Sequence, residues 1–125
     1  MSPEEIVAAF CDELNRGVTG ALIYLSEDCV YQNMPFPAVH GPEGVKKVLE
    51  NFFVVTGPVR IETLRVSVSG NLVMNERIDH FVPPNGKSFG LPVAGAFEIK
   101  DNKIVAWRDY FCMQQFSEGT GISFL

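Results

Sequence analysis

The hydrophobic period of this chain changes once, and that change limits its fold more than any other feature. Up to Thr56 the apolar residues recur mostly at helical spacing; beyond it they alternate with polar ones. Ser2 and Glu5 have the spacing of a capping box, and Pro3 suits a first helical position. Ile6, Val7, Phe10 and Leu14 follow on one face, and Gly17 ends the helix. The pattern predicts a second, short helix over Thr19 to Leu25 and a strand over Cys29 to Asn33. A loop at Met34 to Pro37 leads to a third helix restarting at Gly41, with Val45, Val48, Leu49 and Phe52 on one face. Thr56-Gly57-Pro58 ends it.

The second half reads as strands. Leu64, Val66 and Val68 alternate with Thr63, Arg65 and Ser67, the pattern of a half-buried strand. Turns at Ser69-Gly70-Asn71, Pro83 to Gly86 and Asp101-Asn102 separate it from strands at Leu72 to Val82, at the run lined by Phe89, Leu91, Val93, Gly95, Phe97 and Ile99, and at Lys103 to Phe111. Pro92 suggests an edge position or a bulge. Helices followed by a run of antiparallel strands predict an α+β fold in a single domain spanning residues 1–125.

Composition narrows the function classes. With 46% hydrophobic and 20% charged residues the chain is an ordinary globular one, which excludes a disordered, collagen-like or coiled-coil protein. A net charge of −5 and no basic stripe argue against a nucleic-acid partner. No apolar run reaches the ~18 residues of a membrane span. Met1-Ser2-Pro3-Glu4-Glu5 lacks the basic start and apolar run of a signal peptide, so a cytoplasmic protein is expected. Cys11, Cys29 and Cys112 show no paired spacing and are expected to be reduced core or near-core thiols.

Chemistry concentrates in three short segments. In the last strand Val105, Trp107, Asp109 and Phe111 share a face, so Asp109 sits on an apolar stripe and needs a partner, either a structural donor or a catalytic one. Arg77 and Asp79, two apart, point the same way; they form either a surface ion pair or part of a carboxyl–guanidinium–carboxyl unit with Asp109. In such a unit two carboxyls resist ionising together, and one keeps a proton near neutral pH. Tyr31 and Asn33 also share one side of a strand, where they anchor a loop or hydrogen-bond a water. His40 lies in a Pro/Gly-rich loop, and His80 points away from Asp79's side; neither forms a metal cluster.

Tyr31-Gln32-Asn33-Met34-Pro35, Asn75-Glu76-Arg77-Ile78-Asp79 and Trp107-Arg108-Asp109-Tyr110-Phe111, in this order and spacing, resemble the limonene-1,2-epoxide hydrolase family over nearly the whole chain. The resemblance implies a curved mixed β-sheet cone with N-terminal helices, of the nuclear-transport-factor-2-like and ketosteroid-isomerase-like type, and a homodimer. It implies Asp79 and Asp109 as the acid–base pair, Arg77 as the bridge between them, and Tyr31 and Asn33 as the holders of a water. No metal or organic cofactor is required. The substrate implied is a small apolar, cyclic terpene-type epoxide, converted with water to a vicinal diol. Leu14, Phe52, Ile61, Phe81, Leu91, Val93, Phe111 and Phe124 are implied as pocket walls. The chain departs from the family pattern at His80 and Cys112, in place of an apolar and an acidic residue. A proton-transfer enzyme of the ketosteroid-isomerase kind and a non-catalytic carrier of apolar ligands are the competing readings of the same fold.

Overall fold

The computed structural model describes residues 1–84 and 86–123. Its first helix, α1 (Pro3–Leu14), starts on the predicted capping box: the Ser2 hydroxyl accepts from the Glu5 N–H, and the Glu5 carboxylate accepts from the Ser2 N–H. Ile6, Val7, Phe10, Cys11 and Leu14 form its buried face. The predicted second helix is shorter than expected. An α-helical turn, α2 (Val18–Ala21), passes into a 3-10 turn over Leu22–Tyr24, and Leu25 already opens strand β1 (Leu25–Asn33). A two-residue strand, β2 (Val39–His40), follows the loop, so His40 is paired backbone rather than free loop. Helix α3 (Gly41–Thr56) ends at Gly57, whose φ of 74° lies in the left-handed region that glycine tolerates.

Four long strands come next: β3 (Val59–Ser69), β4 (Leu72–Phe81), β5 (Phe89–Lys100) and β6 (Lys103–Tyr110). They join one six-stranded sheet in the order β2-β1-β6-β5-β4-β3. Every pairing is antiparallel except β1 with β6, so the sheet is mixed. A last helix, α4 (Met113–Thr120), closes on Gly121; the sequence reading did not anticipate it. Asp101 and Asn102, both with positive φ, make the β5–β6 turn.

Helix α1 lies against the inner face of the sheet, where Phe10 packs edge-on to Phe97 and Trp107. Two expectations about alternation fail, one on the bulged edge strand β3 and one at a bulge between β5 and β6. The β3–β4 register shifts between Thr63 and Arg65, and Leu64, Val66 and Val68 are exposed rather than half-buried. Val66 and Val68 pair opposite the inward Asn75 and Val73, but β3 is the sheet edge and leaves their outer flank open. The β5–β6 register shifts between Glu98 and Ile99, which buries Ile104 in place of Val105. Pro92 sits in a central strand, yet the pairing of β5 with β6 begins only at Ala94, so the proline is locally at an edge. Cys11 and Cys29 are buried, whereas Cys112 is exposed, against expectation.

Candidate active site

Both faces of β4 mix apolar and polar residues in the sequence, so alternation leaves open which is buried, and the structure buries the more polar one. Val73, Asn75, Arg77, Asp79 and Phe81 point inward; Arg77 is among the most deeply buried side chains of the protein, at 1% exposure. A buried guanidinium is tolerable only if its N–H groups find acceptors. All five do. Nε donates to Asp79 Oδ1 at 3.1 Å, and Nη2 to Asp79 Oδ2 at 3.0 Å and Asp109 Oδ2 at 2.9 Å. Nη1 donates to Asp109 Oδ1 at 3.0 Å and Asn75 Oδ1 at 3.2 Å. Both carboxylates are therefore gripped in fork geometry by one cation.

Register explains how residues of β4 and β6 meet across β5. Neighbouring strands are about 4.8 Å apart, so the two carboxylates start roughly two strand spacings from each other. Asn75, Gly95, Asp109 and Asn33 lie in one row across four strands. Gly95 carries no side chain, and a Cβ there would collide with Arg77 Nη1 and Asn75 Oδ1. The arginine crosses β5 through that gap. Asp109 is fixed further by the Trp107 indole N–H, which donates to its Oδ1 at 2.8 Å. Trp107 in turn stacks on Tyr31, with ring centroids 3.9 Å apart, through the Tyr31–Trp107 pairing of β1 and β6.

The electrostatics follow from burial. Burial raises the Asp79 carboxyl above the usual carboxylate range; the Arg77 charge and hydrogen bonds oppose this, and Asp109 reinforces it. Burial disfavours the Arg77 charge, but the two carboxylates outweigh that cost and hold it charged. With one fixed positive charge among two carboxyls, a single retained proton makes the trio neutral, the favourable state in a poorly solvated site. Burial also pushes the Tyr31 hydroxyl well up, aided by Asp109, so it remains a neutral donor beside Asn33. The Cys11 thiol is pushed up to about 12 by burial and stays protonated.

These groups open onto a cavity of about 60 Å3. Tyr31, Asn33, Arg77, Asp79 and Asp109 all line it, so the five polar residues singled out in the sequence converge on one space. Of the expected wall residues, Leu14, Phe52, Ile61, Phe81, Leu91, Val93 and Phe111 line it too; Phe124 lies outside the described residues. Leu49, Phe53, Thr56, Val59, Trp107 and Phe116 also line it and were not named as walls. Phe116 comes from the unanticipated α4, where it packs against Phe52 and Phe111. Trp107 and Asn75 were read only as members of strand faces; their bonds to Asp109 and Arg77 depend on long-range register. His80 is turned away from the site and pairs with Glu62 at 2.8 Å.

A helix-covered, curved mixed sheet with a polar cluster at the base of an apolar cavity defines an α+β protein of the ketosteroid-isomerase-like kind. A solved structure with that fold from Catenulispora acidiphila superposes with a TM-score of 0.85 over 98% of this chain and 96% of its own, at 16% identity, a likeness of fold alone. The chain belongs to the limonene-1,2-epoxide hydrolase family: residues 1–120 match the family's catalytic domain. It is similar to epoxide hydrolase EphG of Mycobacterium tuberculosis, 30% identical over 96 residues, which are 76% of this chain and 62% of that protein. The match thus spans less than two-thirds of that relative's length. The structure of an M. tuberculosis epoxide hydrolase of this type superposes with a TM-score of 0.78 and 26% identity, covering 93% of this chain and 86% of the other.

Proposed function

We propose that this protein hydrolyses apolar epoxides to vicinal diols in one acid–base step, without a covalent intermediate. The observation that carries the reading is the buried trio, in which one arginine grips two carboxyls beside Tyr31 and Asn33 at an apolar cavity. Asp109, ionised, takes a proton from a water held by Asn33, Tyr31 and Asp109 itself. The water oxygen forms a bond to one ring carbon as the C–O bond on that carbon breaks, with inversion. Asp79, protonated, donates to the leaving epoxide oxygen, which is a poor leaving group as a free alkoxide. General acid–base assistance of this kind is worth about 10²–10⁴-fold, and fixed orientation adds to it.

The charge count supports the roles. Before the step the trio holds one ionised and one protonated carboxyl with Arg77; afterwards the proton sits on Asp109 instead of Asp79, and the net charge is unchanged. No charge is created in the buried site during the reaction. A proton passed back through solvent or bound water resets the pair. The chemistry calls on no metal or organic group.

The cavity size bears on the substrate. Dry apolar cavities of about 150 Å3 accept benzene. A cavity of about 60 Å3 is less than half of that, so even a six-membered cyclic epoxide requires the phenylalanine walls to swing aside, and a terpene epoxide requires more of the same motion. A cytoplasmic homodimer belongs to the same proposal. The outer sheet face offers Val30, Met74 and Tyr110 as exposed apolar residues beside the ion pairs Arg65–Glu76 and Arg108–Glu98. The test is diol formation from cyclohexene oxide and limonene-1,2-epoxide, followed by chiral gas chromatography, with Asp109→Asn as control. Diol above that control is expected. Its absence across a wide epoxide panel, from folded protein, would favour the proton-transfer or carrier reading.

A further inference from the structure

The polar core extends one residue beyond the trio. Asn75 is 4% exposed and sits on β4 two residues before Arg77, in the row it shares with Gly95 and Asp109. Arginine has no acceptor, so the atom of Asn75 that meets Arg77 Nη1 must be the amide oxygen. That leaves the amide nitrogen facing the Cys11 sulfur of α1 at 3.9 Å. Asn75 does not border the catalytic cavity. It borders a separate groove between α1 and β3, together with Cys11, Asp12, Asn15, Thr63 and Val66.

We propose that Asn75 is a positioning residue for the hydrolase: its amide oxygen takes the fifth N–H of Arg77 and fixes the angle at which the guanidinium holds Asp79 and Asp109. The inference rests on the proposed hydrolase reading for its kinetic consequence. Four of the five Arg77 bonds go to the two carboxylates, and without Asn75 the second Nη1 N–H would be buried with no acceptor. A guanidinium left so turns or shifts to find one, and the Asn75 oxygen removes that need. Gly95 makes the same geometry possible, since a side chain there would occupy the space shared by Nη1 and the Asn75 oxygen. A shift of the fork changes the separation of acid and base, and misplacements on the order of 1 Å cost about 10²-fold in rate.

The experiment compares wild type, Asn75→Leu and Asn75→Asp. Leucine fills the space without an acceptor; aspartate restores an acceptor oxygen. Steady-state hydrolysis of cyclohexene oxide is read alongside 15N-resolved NMR of the Arg77 guanidinium protons. The wild type is expected to show four separate, slowly exchanging Hη resonances. Asn75→Leu is expected to collapse or shift the Hη1 pair and to lower kcat about 10- to 100-fold, with KM within twofold because Asn75 does not touch the substrate. Asn75→Asp is expected to keep four separate Hη resonances. Averaged Hη signals in the wild type would overturn the inference even if the leucine variant fails to fold. So would an unchanged Hη1 pair in Asn75→Leu, or a loss that appears in KM alone. Absence of diol from the wild type overturns the hydrolase reading instead, and the NMR comparison still decides whether Asn75 fixes the fork.

Discussion

Replacing Arg77 by methionine should turn a buried, compensated trio into two buried carboxyls with no cation. Methionine matches the arginine stem as far as Nε and carries no charge, so the change removes the guanidinium with its five N–H bonds and keeps most of the apolar stem. Asp79 and Asp109 are 8% and 5% exposed, so solvent takes over little of the lost interaction. Breaking a buried ion pair by removing one partner costs about 3–5 kcal/mol. Domains of this kind have about 5–15 kcal/mol in total, so the variant should fold but be marginal at pH 8. With the arginine gone, nothing opposes the burial that already raises the Asp79 carboxyl, so its folded value moves further above its unfolded one. Asp79 therefore contributes stability fully below its unfolded value, about pH 4, and loses it as pH rises through the folded value. Urea unfolding at pH 5 and pH 8 measures this, read by fluorescence of Trp107, the single tryptophan, which donates to Asp109. The variant should be at least about 3 kcal/mol weaker than wild type at pH 8, and the gap should narrow at pH 5. A loss under about 1 kcal/mol at pH 8, or curves parallel in pH, would refute the reasoning.

Asp79→Asn removes a carboxyl that burial holds above its ordinary range. The wild type should lose stability relative to the variant as pH rises from about 4 through the raised folded value, visible in urea midpoints across that range; the reverse slope would contradict the assignment. Trp107→Phe deletes the indole N–H bond to Asp109 and keeps the stack on Tyr31, so kcat should fall about 10-fold while the unfolding free energy drops by about 1–3 kcal/mol. Phe111→Ala widens the cavity, and the rate ratio of limonene-1,2-epoxide to cyclohexene oxide should rise about 10-fold in a competition assay; an unchanged ratio would mean another wall sets the size limit.

What could be read from the sequence follows from which interactions are local. The Ser2–Glu5 capping box, the Gly57 stop and the Asp101-Asn102 turn depend on a few adjacent residues, and each stands where its spacing predicts. Alternation put Arg77 with Asp79, and Trp107 with Asp109, on shared faces; it left open which face of β4 is buried, because both are mixed. Bulges and edges defeat alternation: Leu64 falls in the β3 bulge, Val66 and Val68 face inward but on an edge strand that leaves them open, and the β5–β6 shift puts Ile104 in the place of Val105. Helix α4 escaped because it is only 8 residues long and buries only Phe116 and Thr120, so its apolar face is too small to stand out in the sequence. The bonds of Trp107 and Asn75, and the gap at Gly95, require knowing that β5 lies between β4 and β6, which no local pattern supplies.

The central claim is direct attack by water within the Asp79–Arg77–Asp109 trio, and a single turnover in 18O-labelled water tests it most directly. Enzyme in excess over cyclohexene oxide, followed by mass analysis of the diol, reads the source of the new oxygen. The account predicts that the first turnover already carries 18O and that Asp109→Asn forms no diol above background. Unlabelled diol in that first turnover would mean a carboxylate oxygen of the enzyme had been transferred, and one-step hydrolysis would be wrong.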